Sequence, residues 1–231
     1  MGVAEITPGI SGATIAGIFN VYEPFIKVLS IFNPKRLISE FNSFLENLNL
    51  PLMIPLMFGM IISIYFSAYF VDYLIKHQLH FFKIFLSLVM IFAVIKNCSM
   101  DQSFYNSAKY LVSFASGITV AILIALSLIQ FNFNNNFLLI LSGLLAFTAF
   151  ILPGISGSLV LLILGVYQEI ISGVKNFDFL ALLPFIIGML LAFFIVPKLI
   201  VKRFKKNEHQ TKVLFSGLIL GSIPAVWIHL N

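Results

Sequence analysis

Charge is what this chain has least of. Of its 231 residues only 10% are Asp, Glu, Lys or Arg, while 60% are hydrophobic and mean hydropathy is +1.03. An average soluble domain is about 25% charged and at most about half apolar. Polar side chains are too few to cover a water-facing surface of this size. That excludes an ordinary soluble protein, a disordered chain and a nucleic-acid binder, despite a pI near 9.3. A single cysteine, Cys98, excludes an internal disulfide framework and a cysteine-only metal cluster. The histidines are His77, His80, His209 and His229, three in expected loops and one in a last helical turn. No metal-ligand spacing, P-loop or dinucleotide fingerprint is present. No catalytic residue, metal or cofactor is therefore expected. Met1–Glu5 has no basic n-region, so no cleavable signal is expected, and Ile6 breaks the myristoylation pattern.

Long apolar runs are what the chain has instead. A spanning helix needs about 20 apolar residues. Pro51–Ile75, Lys109–Ile129, Leu180–Leu199 and Val213–Leu230 supply them, and Phe81–Ile95 reads as a shorter span between polar flanks. The 26 phenylalanines fit lipid-facing surface. Two further apolar regions, Pro8–Phe32 and Phe137–Ile171, each carry a Pro-Gly-Ile-Ser-Gly break. In the second, the arms Phe137–Leu152 and Ser156–Ile171 would each be about 24 Å long as helices, short for a crossing. They read as a re-entrant hairpin, with two thin spans as the alternative. The expected fold is all-α: a polytopic integral membrane protein, an inverted-repeat helical bundle with two re-entrant helix hairpins, built as one domain over 1–231 with halves of roughly 1–107 and 108–231.

Basic residues set the expected topology. Lys198, Lys202, Arg203, Lys205, Lys206 and Lys212 mark a cytoplasmic loop. Alternation then places the uncharged Asn132–Asn136 segment outside, Lys96–Lys109 inside, Lys76–Lys83 outside and Lys27–Arg36 inside. All but Lys76, Lys83 and Lys175 of the 14 basic residues then lie inside. The C-terminus comes out extracytoplasmic.

The halves are related. Pro8-Gly9-Ile10-Ser11-Gly12 recurs as Pro153-Gly154-Ile155-Ser156-Gly157, and without a gap Ile18, Val21 and Tyr22 match Ile163, Val166 and Tyr167. A second register aligns Pro55, Gly59, Met60, Lys83 and Ser87 with Pro184, Gly188, Met189, Lys212 and Ser216. Three spans between the two motif regions would make the repeat inverted, the layout many secondary transporters use around a midplane site.

The motif has chemistry to offer. Proline stops a helix from running through, and glycine lets a ligand approach the backbone. Ser11 and Ser156 are placed to cap the helices that follow, whose first N–H groups and positive dipole end favour an anion. Thr14 and Ser158 add hydroxyls. Kinks that allow close helix packing are the plainer reading of one such motif; its duplication favours a binding site. Glu5, just before the first break, reads as a proton- or sodium-coupling carboxylate, a cap on the motif loop, or an exposed residue of a short tail. Tyr22 and Tyr167 read as headgroup contacts or interfacial anchors, and Glu23 and Glu169 as solvated. Ser113, Ser116, Gly117 and Thr119 form a small polar stripe that either lines a path or packs a helix. Gly-Ile-Ser-Gly also matches the nucleophile motif of rhomboid-type intramembrane proteases, but no histidine is near it in the sequence to serve as base.

Met1-Gly2-Val3-Ala4-Glu5-Ile6-Thr7-Pro8-Gly9-Ile10-Ser11-Gly12-Ala13-Thr14 resembles the opening signature of the polyprenyl-phosphate transporter family. Glu5 stands where that signature has Asp, and Ala13 where it has a third Gly. Ile151–Ser158, followed by Leu164-Gly165-Val166-Tyr167, is similar to the family's second signature, and Leu218–Pro224 to its closing segment. Members usually carry a longer segment before the first signature, so an arm completing the first hairpin is expected to be missing here. The resemblance implies a flippase of the cytoplasmic membrane that moves undecaprenyl phosphate, or a related polyprenyl phosphate, for carrier-lipid recycling. The substrate-binding residues it and the motif point to are Pro8, Gly9, Ser11, Gly12, Thr14, Tyr22, Pro153, Gly154, Ser156, Gly157, Ser158 and Tyr167, with Glu5 as the ion-coupling candidate. A transporter or channel for a small soluble anion and a membrane-embedded lipid phosphatase are the alternatives.

Overall fold

The computed structural model of the chain describes residues 1–7, 10–32, 48–99, 108–126 and 136–229. Pro8, Gly9 and the connections expected around 100–107 and 132–135 lie outside the described residues. Among the described residues there are helices and no strands. In chain order the helices are α1 (Gly2–Ile6), α2 (Gly12–Ile18), α3 (Tyr22–Ile31), α4 (Leu50–His77), α5 (Leu79–Ser99) and α6 (Ala108–Leu126). They continue as α7 (Asn136–Ile151), α8 (Gly157–Ile163), α9 (Tyr167–Lys175), α10 (Phe179–Lys206), α11 (Glu208–Gly221) and α12 (Ile223–His229). Among the described residues, five stretches are long and apolar enough to span: within α4, α5, α6 and α10, and across α11–α12. The protein is an all-α polytopic membrane protein. Phe58, Phe66, Phe70, Phe81, Phe85 and Phe92 all point outward from α4 and α5, where hydrocarbon would meet them.

Three expectations change in detail. The basic run 198–212 is not a loop: α10 continues through Lys206, and Asn207 alone separates it from α11. Asn207 makes so short a turn workable, because its Oδ1 accepts the Gln210 N–H at 3.0 Å and caps α11. Arg203, Lys205 and Lys206 fall in the last turn of α10, where cations suit the helix dipole. The last span breaks at Ser222, with Pro224 opening α12 at a position that needs no N–H donor. The second arm of the second motif is not one helix either. α8 and α9 are bent by 118°, because Gly165 adopts φ 73° and ends α8.

The two motif copies share local backbone features. α2 and α8 have seven residues each, and both follow a serine in extended conformation (Ser11 φ −102°, Ser156 φ −93°). Both end in the same left-handed turn. Val21 N–H donates to Ala16 O at 2.9 Å and Val166 N–H to Leu161 O at 3.1 Å. Asn20 N–H donates to Gly17 O at 3.1 Å and Gly165 N–H to Leu162 O at 3.0 Å, completing a Schellman ending in each copy. Asn20, at φ 58°, takes the place of Gly165, as asparagine can. In the second register, α4 and α10 are 28 residues each and start and stop at equivalent positions.

Close helix packing holds the bundle together. α7 lies against α10, where a Cβ on Gly143 or Gly188 would strike Phe185 O or Ile140 O. α6 lies against α11 through Gly117, Gly217 and Gly221. Small residues let such backbones approach, which is how helices associate where lipid removes the hydrophobic drive between them. Half of the stripe on α6 serves packing: Gly117 meets the Leu214 carbonyl, and buried Ser113 accepts the Gln210 Nε2–H at 2.8 Å, while Ser116 and Thr119 are exposed and bond carbonyls of their own helix. α5 and α11 run antiparallel. Trp227, after α11, meets the start of α5 at Lys83 and Ser87, while Asn97 near the end of α5 faces the same cavity as Lys212 near the start of α11.

Candidate functional site

The helices that follow the first motif meet the second break inside the bundle. Gly154 sits at φ 89°, a conformation glycine adopts without penalty. Its backbone presses against α11, where a Cβ would lie 2.5 Å from Ile219 N and 2.6 Å from Leu218 C. Leu218 and Ile219 are about half-way along the Glu208–His229 stretch, so the second break lies at mid-length of that helix pair. Residues of the first motif bond to it directly. Gly154 N–H donates to Thr14 Oγ1 at 2.9 Å. Tyr22 O–H donates to the Ile151 carbonyl at 3.1 Å. Ser11 Oγ accepts the Ala13 N–H at 3.2 Å and lies 3.5 Å from the Phe150 carbonyl. Irregular backbone at membrane depth needs such partners, and here one motif satisfies the other.

A cavity of about 230 Å³ leads down to this junction. Thr14, Tyr22, Pro153 and Ile219 form its inner wall, all well buried. Lys212, Glu23, Asn97 and Asn20 supply its polar groups. Phe204 and Phe215 flank Tyr22, with ring centroids 6.1 and 5.6 Å from its own. A second hollow of about 310 Å³ shares Glu23 and Phe204 with it and is lined by Lys27, Lys205, Lys206 and Glu208. Two of the lysines at this end are held by i,i+4 pairs, Lys27 with Glu23 at 2.7 Å and Lys212 with Glu208. Both pairs are exposed, so they add about 0–1 kcal/mol each and can be exchanged for another anion at little cost.

Of the sequence-based candidates, Thr14, Tyr22 and Pro153 line this cavity. Tyr22 is not an interfacial anchor: it is 5% exposed, enclosed by aromatic rings, and its hydroxyl is spent on the Ile151 carbonyl. Tyr167, its repeat partner, is half-buried in a separate cluster with Val166 and Ile170. Ser11, Gly12, Ser156, Gly157 and Ser158 stand behind the cavity wall. Ser156 Oγ and Ser158 Oγ share a hydrogen bond at 2.8 Å, and Gly157 packs against the Ala146 carbonyl. Glu5 is not on an exposed tail. Its Oε1 accepts the Gly12 N–H at 2.8 Å, which closes the N-terminus of α2. Phe150 stands in register with Glu5, so α8 has no such carboxylate. Lys96 bonds the Ile18 carbonyl and closes the other end of α2. Among the described residues, no group of three or more His, Cys, Asp or Glu is placed to hold a metal.

Sequence reasoning missed Lys212, Asn97 and Asn20 as cavity residues. A signal for Lys212 was present in its repeat match with Lys83, but topology alone explained its charge. Asn97 reaches the cavity only through the antiparallel pairing of α5 and α11, which no local pattern encodes.

Comparison with known proteins decides the kinship. A family model described as undecaprenyl phosphate translocase-like matches residues 1–231. The chain belongs to that family. This translocase-like chain is also 28% identical to a polyprenyl-phosphate transporter of Vibrio cholerae serotype O1 over 235 residues, covering 98% of the chain and 74% of the relative. No solved structure matches it.

Proposed function

We propose that this chain carries undecaprenyl phosphate, or a related polyprenyl phosphate, across the cytoplasmic membrane, returning it to the cytoplasmic leaflet for reuse as a carrier lipid. The observation that carries the reading is the cavity bearing Lys212, which ends where Thr14, in the helix after the first motif, bonds Gly154 of the second break. Its volume, about 230 Å³, is below the range of about 300–1,000 Å³ for sites that enclose a drug-sized ligand. It suits a headgroup whose long prenyl tail stays in lipid. Lys212 would meet the phosphate, helped by Asn20 and Asn97, while Thr14 and Pro153 form the inner limit of the site. Ser11, Gly12, Ser156, Gly157 and Ser158 would hold the breaks in the shape that lets the headgroup pass. Glu5 would couple transport to an ion.

Kinship with the polyprenyl-phosphate transporter of Vibrio cholerae supports the substrate. The end bearing Lys27, Lys205, Lys206 and Lys212 would face the cytoplasm, by the excess of basic residues there. The C-terminus would then be extracytoplasmic. The antiparallel placement of α5 and α11 supports an inverted relation of the halves, with access alternating about the junction.

The test uses proteoliposomes loaded with undecaprenyl phosphate in both leaflets and a phosphatase added outside. Transport is expected to raise the cleavable fraction from the outer-leaflet share to nearly all, and Lys212→Gln to slow that rise. Protein-free vesicles that keep pace with loaded ones would end the proposal. Flux of inorganic phosphate without lipid movement would favour a soluble-anion transporter instead. Phosphate release by the protein alone, abolished by Ser156→Ala, would favour a lipid phosphatase.

A further inference from the structure

Lys83 is buried at the end of the bundle opposite Lys212. It is 9% exposed, and no carboxylate among the described residues lies within ion-pair distance of it. Its Nζ donates to the Trp227 carbonyl at 3.3 Å and lies 5.9 Å from the centroid of the Trp227 ring. Trp227 is held over it by two further contacts. The indole N–H donates to Ser87 Oγ at 3.1 Å, and the His80 ring packs edge-on at 5.5 Å. A buried ammonium with one neutral acceptor is costly, because desolvation is not offset by an opposite charge.

The repeat gives that cost a reason. Lys83 and Ser87 stand in register with Lys212 and Ser216, and each serine makes the same bond, Ser87 Oγ to Lys83 O and Ser216 Oγ to Lys212 O, both at 2.9 Å. One copy of the lysine therefore opens on a cavity and the other is covered. The covering residue differs between the copies. In register with Trp227 stands Cys98, a much smaller residue, next to Asn97 of the open cavity. Because α5 and α11 are antiparallel, the two lysines are at opposite ends, separated by roughly 20 Å along α5 at 1.5 Å per residue.

We infer that Lys83 is a second phosphomonoester-binding residue, serving the opposite face of the membrane, and that Trp227 is the cover that leaves it when that face opens. This rests on the transport reading above and deepens it. The headgroup would pass from one lysine to its repeat partner, with the junction of the breaks between them.

Trp227 is the chain's single tryptophan, so its fluorescence reports on the cover alone. The full chain in proteoliposomes is titrated with undecaprenyl phosphate, undecaprenol and inorganic phosphate. Undecaprenyl phosphate is expected to raise acrylamide quenching of Trp227, and undecaprenol to leave it unchanged. The same response to inorganic phosphate supports the Lys83 site and assigns it to a soluble anion; no response to either phosphate overturns the inference. Lys83→Gln is expected to abolish the response and slow lipid transfer about tenfold. Lys83→Arg, which keeps the cation, should restore most of both. Transfer by Lys83→Gln within about twofold of the unsubstituted chain overturns the inference while leaving the transport reading intact. Equal loss in Lys83→Gln and Lys83→Arg assigns Lys83 to packing and also overturns it. An unsubstituted chain that moves no lipid defeats the transport reading itself, and the Trp227 titration then judges Lys83 separately.

Discussion

Asparagine introduced at Gly154 and at Gly165 separates backbone strain from packing. Both glycines have positive φ, 89° and 73°, and asparagine tolerates that region better than most residues. Both sites therefore carry some backbone strain for any side chain, and asparagine keeps that strain low. Their surroundings differ. Gly165 is exposed, and its repeat partner is already an asparagine, Asn20, in the same Schellman ending. At Gly154 a Cβ would lie 2.5 Å from Ile219 N and 2.6 Å from Leu218 C, both main-chain atoms of α11. Main chain inside a helix cannot swing aside as a side chain can, so α7, α8 and α11 must separate. Overpacking costs about 1–3 kcal/mol where side chains can yield, and here about 3 kcal/mol or more is expected. At about 2–4 °C per kcal/mol for a chain of this size, Gly154→Asn should lower Tm by roughly 6–12 °C. Gly165→Asn should stay within about 0.5 kcal/mol, or about 2 °C. Thermal unfolding in one detergent, followed by helical circular dichroism, makes the comparison. Equal shifts for the two variants would refute the argument that α11 is what excludes a side chain at Gly154.

Thr14→Val keeps the shape of the side chain but leaves the buried Gly154 N–H unpaired, which should cost about 1–3 kcal/mol, while Thr14→Ser should recover most of it; thermal unfolding reads both. Glu5→Gln retains an oxygen that can accept the Gly12 N–H, so stability should change by less than about 1 kcal/mol. If Glu5 carries the coupling ion, the same variant loses the response of lipid transfer to an imposed proton or sodium gradient; a full response removes Glu5 from that role. Gly188→Leu places a side chain on the Ile140 carbonyl and should prevent α7 from seating on α10, seen as loss of monodisperse protein in size exclusion. Gly59→Leu, at the repeat-equivalent position where nothing lies within 4 Å, should be tolerated in the same assay.

The outline of this protein was readable from composition and local pattern. Apolar runs report spans because lipid accepts only long apolar helices with their backbone bonds closed. The Pro-Gly-Ile-Ser-Gly breaks report interruptions because proline and glycine act on their own backbone whatever surrounds them. Self-similarity needs no coordinates, so the register that sets Lys83 beside Lys212 can be read from the residues alone. Arg203, Lys205 and Lys206 lie in the last turn of α10 and not in the loop their spacing suggested.

Contacts between distant segments were decided only by the tertiary structure. Tyr22 and Tyr167 are identical in the sequence repeat, yet one is sealed between Phe204 and Phe215 and the other half-buried in a separate cluster, because different helices come to meet them. Glu5 became a cap because α1 and α2 fold back on each other around the first break. Thr14 found Gly154, and Asn97 found the cavity of Lys212, across gaps of more than a hundred residues. No periodicity in a chain records which of its helices will lie side by side. Where α7 meets α10 and α6 meets α11, glycines leave room for the carbonyls of the facing helix, among them Phe185, Ile140, Leu214 and Phe114.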